Sequence, residues 1–177
     1  TNVIMGNNSA GTLTIGSNNL ILGHDTARSI TTSNGNILLG NLVGKDATTT
    51  STSVLMGYQT GTNFNEIVDN VIIGYQAGQG GSGAIGQKNV VIGARAGNSM
   101  TTSNENVIIG TSAASRLTTG GKNIIIGSES QNDIYSSPAS NLTTGSDNII
   151  MGNDTAVSLT IGRKNLILGN ASGKSLD

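Results

Sequence analysis

The chain has 177 residues, a formal net charge of −1, 11% charged and 2% aromatic residues, 26 Gly, one Pro and no Cys. That length can bury a core of ordinary size. The charge gives no attraction to nucleic acid or an acidic membrane, the missing thiols exclude disulfide staples and thiolate metal sites, and apolar runs of at most three residues cannot span a bilayer.

The first expected element is a short strand, Asn2 followed by Val3-Ile4-Met5 and closed by Gly6. The same unit returns with Gly23, Gly40, Gly57, Gly74, Gly93, Gly110, Gly127, Gly152 and Gly169. Successive glycines are 17, 17, 17, 17, 19, 17, 17, 25 and 17 residues apart. A fixed period of this kind is the signature of a repeat architecture. Asn precedes nine of the ten aliphatic triplets, and Ser53 replaces it once. Small residues stand three and four places after most of the glycines, as in Ser9-Ala10 and Ala113-Ala114. Seven places after the glycine comes a second apolar position, as at Leu13, Ile30, Phe64, Met100, Leu117 and Leu159, and Thr-Thr or Thr-Ile commonly follows it.

Each repeat therefore reads as two short strands joined by two tight turns. β-Branched triplets bounded by Gly and Asn have the wrong period and propensity for a helix. The expected fold is all-β, a parallel β-solenoid (β-roll) that forms one repeat domain over 1–177. Its ten rungs begin near residues 2, 19, 36, 53, 70, 89, 106, 123, 148 and 165, with expanded loops at 79–83 and 132–139. Stacked at ~4.8 Å, nine steps make a rod of roughly 43 Å, and stacked Asn side chains can bond rung to rung. Solenoid ends need protection, so the expectation is a segment of a longer fibre.

Side chains alternate faces along a strand. If the outer two residues of each triplet fill the coil, the middle residues form an outward stripe: Ile4, Ile21, Leu38, Leu55, Ile72, Val91, Ile108, Ile125, Ile150 and Ile167. A continuous apolar stripe of that length calls for partner chains. These ten residues are accordingly the expected interface between identical chains, and Ile108→Asp is expected to dissociate or misfold the assembly. Just before the Asn column, Asp69, Lys88, Glu105, Lys122, Asp147 and Lys164 alternate in sign. Neighbouring rungs would attract, and a one-rung slip would set like against like.

Signals for chemistry are sparse. Gly78-x-Gly80-x-x-Gly83 matches a dinucleotide fingerprint literally, but no helix pattern follows it. Gly169-x-x-x-Gly173-Lys174-Ser175 is one residue short of a phosphate loop. His24 reads as a solvated turn residue, and no His and carboxylate cluster has metal-ligand spacing. Glu129 and Asp154 share a position two after their glycines and are the one carboxylate pair on consecutive rungs there. The expected catalytic, cofactor and metal residues are none. The expanded segment Asn132, Asp133, Ile134, Tyr135, Ser136, Ser137 and Pro138 is the candidate receptor loop, because insertions in solenoids map to surface loops. Tyr58 and Tyr75 fall on successive rungs and are expected to stack along the rod.

Asn70-Val71-Ile72-Ile73-Gly74-Tyr75-Gln76-Ala77-Gly78, Gly57-Tyr58-Gln59-Thr60-Gly61 and Leu117-Thr118-Thr119-Gly120 resemble the N-x-x-I-G-Y-Q-A-G…T-T-G-S-N repeats of phage tail-fibre and tail-spike-like proteins. More distantly, the chain is similar to the head repeats of trimeric autotransporter adhesins. The resemblance implies a homotrimeric attachment fibre on a virion, or a bacterial cell-surface adhesin, engaging a surface glycan or protein receptor. An ice-binding solenoid, suggested by the Thr14, Thr31, Thr48, Thr101, Thr118, Thr143 and Thr160 column, and a polysaccharide-degrading tail spike are alternatives from other classes.

Overall fold

In the computed structural model, residues 1–129 and 137–175 are described, apart from the side chain of Ile85. Among the described residues fifteen strands run in chain order: β1 (Asn2–Met5), β2 (Ile15–Ser17), β3 (Asn19–Leu22), β4 (Thr32–Asn34), β5 (Ile37–Leu39), β6 (Thr49–Ser51), β7 (Val54–Met56) and β8 (Phe64–Val68). Then come β9 (Val71–Ile73), β10 (Ala84–Gln87), β11 (Val90–Ile92), β12 (Val107–Ile109), β13 (Ile124–Ile126), β14 (Ile149–Met151) and β15 (Leu166–Leu168). The triplets build one ten-stranded parallel sheet in the order β1-β3-β5-β7-β9-β11-β12-β13-β14-β15. Equivalent residues pair rung on rung, for example Ile108 with Val91 and Ile125. The chain is a parallel β-solenoid.

The second sheet holds five strands, β10-β8-β6-β4-β2, and β2, β4 and β6 start slightly later in their rungs than the sequence suggests, while β8 starts at the expected Phe64. Beyond β10 the same path continues through backbone bonds, Thr101 N to Thr118 O and Thr118 N to Thr143 O, both 2.8 Å, without forming strands. Gly120, Gly121, Gly145 and Gly162 fall in that stretch, and glycine leaves a strand without side chains to pack.

The triplets face the opposite way from the expectation. Ile21, Leu38, Leu55, Ile72, Val91, Ile108, Ile125, Ile150 and Ile167 are buried inside their own coil, and only Ile4, on the first described rung, is exposed. The nine buried side chains are core and not an interface. A coil of seventeen residues is too thin for two inward side chains per triplet. The middle one points in and meets the second apolar column, where Ile30, Phe64, Met100, Leu117, Leu142 and Leu159 are also buried. Each such burial contributes about 1.5–3 kcal/mol.

The asparagine column forms a closed row of buried amides. Asn106 Nδ2 donates to Asn89 Oδ1 (3.2 Å) and to the Gly120 carbonyl (3.0 Å). Its Oδ1 accepts from Asn123 N (3.0 Å) and Asn123 Nδ2 (2.9 Å). Four bonds are the full capacity of a side-chain amide. The row crosses the long expansion undisturbed, since Asn148 Nδ2 reaches Asn123 Oδ1 at 2.9 Å. At Ser53 the hydroxyl takes over, accepting from Asn70 N (3.1 Å) and donating to Ser51 O (2.8 Å). Asn106→Ala strands the Gly120 carbonyl and the Asn123 amide in a dry interior. At 1–3 kcal/mol for each unsatisfied group, it should lower the unfolding free energy by roughly 2–5 kcal/mol in a urea titration.

The two-residue expansion at 79–83 leads into a strand. Phe64 fills the coil there, and a Cβ at Gly80 or Gly86 would fall 2.7 Å or 2.5 Å from its ring. Packing over Phe64 accounts for those two glycines. The glycine-rich segment runs directly into β10, with no helix N-terminus to hold a pyrophosphate.

Candidate functional site

With the middle residues inside, the first and third residues of each triplet lie on the outer face of the ten-stranded sheet. Ile37, Ile124 and Ile149 of the first column are 39%, 37% and 38% exposed, and Met56 and Met151 of the third are 37% and 39%. Stacking at ~4.8 Å over three residues of ~3.3 Å gives a strip roughly 43 Å by 10 Å, a size at which contiguous apolar patches mark contact surfaces. Among the described residues no layer of the same chain covers it.

The six alternating charges run along one edge of this strip. All are exposed and stand at corners with φ between 55° and 59°. The expected attraction is not realised as contact, because none of them forms an ion pair among the described residues. The two ion pairs there join sequence neighbours, His24 to Asp25 (3.3 Å) and Lys45 to Asp46 (3.5 Å). His24 is an exposed turn residue.

Along the opposite edge, Tyr58 and Tyr75 stack nearly parallel, with ring centroids 5.7 Å apart and planes 8° from each other. The Arg95 guanidinium lies over Tyr75, 5.9 Å from its centroid. Beside Arg95 opens a cavity of about 450 Å³ walled by Asn98, Ser112, Ser115, Arg116, Glu129, Ser137, Ser140 and Asn141. Arg116 Nη1 donates to Asn141 Oδ1, and Asn141 Nδ2 is fixed in turn on Val157 O at 2.8 Å. Asn98 Nδ2 donates to Gln76 O (3.2 Å) and Gln79 Oε1 (3.1 Å).

No protein-family model, curated protein or solved structure matches the chain. The site has to be read from its own chemistry.

Of the candidate receptor loop, Asn132, Asp133, Ile134, Tyr135 and Ser136 lie outside the described residues. Ser137 and Pro138 are buried, and the Pro138 carbonyl accepts from Ala114 N at 3.0 Å, so this end of the expansion is rung and not loop. Ser137 nevertheless reaches the cavity wall. Glu129 lines the cavity and Asp154 does not, so the two carboxylates do not share it. The threonine column lies at the surface and spends its hydroxyls along the rod: Thr118 Oγ1 donates to Thr143 O (3.0 Å) and Thr143 Oγ1 to Thr160 O (3.2 Å). Among the described residues no three His, Cys, Asp or Glu side chains are grouped to hold a metal ion, and no helix is long and apolar enough to cross a membrane.

The arginine pair escaped sequence reading because Arg95 stands two places after its glycine and Arg116 six. Only the winding of the coil brings those columns to one corner. The available signal was that both fall in the three rungs before the long expansion.

Proposed function

We propose that the chain is a rod segment of a homotrimeric attachment fibre, carried on a virion and serving host adhesion through length and stiffness. The supporting observation is the outer face of the ten-stranded sheet: two parallel columns of aliphatic side chains, in register over ten rungs and left open by the chain itself. Burying them against two further copies around a common axis removes the patch. The alternating charges at its edge, unspent within the chain, oppose a one-rung slip between copies. The repeats' resemblance to tail-fibre units points the same way.

Light scattering is the test. The expected mass is three times the 17.9 kDa of one chain. Lysine at both Ile124 and Ile149, whose side chains point outward, should return the mass of a single chain while leaving the β-type circular dichroism in place. A wild-type sample that scatters as one chain would sink the proposal.

A further inference from the structure

We infer that the corner cavity between Arg95 and Arg116 is a binding site for a sugar residue bearing one carboxylate, the terminal or internal acidic unit of a surface glycan. Arg95 rests on a tyrosine ring and Arg116 on an asparagine amide, so both guanidiniums are held in place by neutral supports. Neither takes part in an ion pair among the described residues. Two oriented guanidiniums on one cavity wall, neither held by an ion pair, form a receptor for a planar carboxylate.

The rest of the wall specifies what carries that carboxylate. Serine hydroxyls and amides line the space between the arginines, the groups that exchange hydrogen bonds with sugar hydroxyls. Glu129 adds one carboxylate to the same wall. Two positive charges and one negative leave room for a single negative charge on the ligand. A polyanion or a doubly charged phosphate would meet Glu129, whereas a sugar can turn its hydroxyls towards it as donors. Tyr75 contributes support and no open platform, since its ring is stacked on Tyr58 and the Arg95 guanidinium lies over it.

The biological sense of this site rests on the attachment reading, but its chemistry lies within one chain and is tested separately. The probes are D-glucuronate, its methyl ester, D-glucose and inorganic phosphate, each titrated against the intact chain by ligand-observed NMR. Glucuronate should bind in the millimolar range expected of so small a ligand, with the ester, glucose and phosphate at least tenfold weaker. Arg95→Gln and Arg116→Gln should each weaken glucuronate at least tenfold at unchanged circular dichroism and unchanged mass. Glu129→Gln should narrow the gap between phosphate and glucuronate. Glucose binding as well as glucuronate, phosphate binding as well as glucuronate to the wild type, arginine variants that bind normally, or no glucuronate binding at tens of millimolar would each overturn the assignment. Mass is read in the same samples: binding by a single-chain species would sink the trimer alone, and a trimer without binding would sink the sugar site alone.

Discussion

Gly110→Ala should cost about 4 kcal/mol or more of unfolding free energy, the combined scale of a forbidden backbone angle and a hard overlap. Gly110 has φ +129°, and a Cβ there would sit 1.8 Å from the carbonyl oxygen of Gly127 on the next rung. Relief requires separating two rungs, and the sheet on both sides is bonded in register, so the strain cannot be absorbed locally. Gly11 is the control. An added Cβ there would meet only ordinary van der Waals neighbours, the nearest 3.6 Å away on the Asn8 side chain, and Gly11→Ala should shift stability by less than about 1 kcal/mol, in the stabilising direction. Urea titrations of the two variants make the comparison. Equal midpoints would mean that the glycine column is not in close backbone contact.

The second large effect separates the two faces of the sheet. Ile108→Asp puts a carboxylate at a fully buried position with no partner. Unpaired buried charge costs several kcal/mol, and the lost apolar burial adds about 2–3 more. The coil itself should unfold at room temperature, giving an expanded single chain on gel filtration with no β-type dichroism. Ile109→Asp, one residue on and facing out, should retain the dichroism. A folded Ile108→Asp protein, or an unfolded Ile109→Asp one, would reverse the assignment of the faces.

That contrast also marks where sequence reading stops. The period, the parallel stacking and the amide row are legible because a solenoid repeats its contacts at its sequence spacing: Asn106 to Asn123 is one turn wherever the strands begin. The facing of Val107-Ile108-Ile109 is not legible from alternation, which allows either one residue inside or two. Coil thickness decides it. Seventeen residues around a turn leave room for one large side chain from the triplet and one from the opposite segment, as Ile108 and Met100 show. Methionines at the third position (Met5, Met56 and Met151) were a usable hint, since the middle column holds only Ile, Leu and Val. Nor did the sequence reveal why Thr26, Thr60 and Thr155 stand three places after their glycines. Each hydroxyl donates to the glycine carbonyl of the following rung, with Thr60 Oγ1 at 2.8 Å from Gly74 O. The Arg95 and Arg116 cavity depends on that same coiling, since columns four places apart face each other only across a corner.

The buried asparagine row has a direction. Wherever two asparagines stand on neighbouring rungs, the amide gives a proton towards the N-terminal end and takes one from the C-terminal end, from Asn19 giving to Asn2 through to Asn165 giving to Asn148, while at Ser53 the Asn70 backbone N–H gives to the hydroxyl instead. Such a row behaves like the graduations of a ruler that reads one way only. Excising one whole turn brings an identical giver to an identical taker and shortens the ruler by one mark, while a cut of half a turn sets unlike groups together. Surplus residues are harmless only where they fall between two marks that still meet, as Asn123 and Asn148 do across 25 residues.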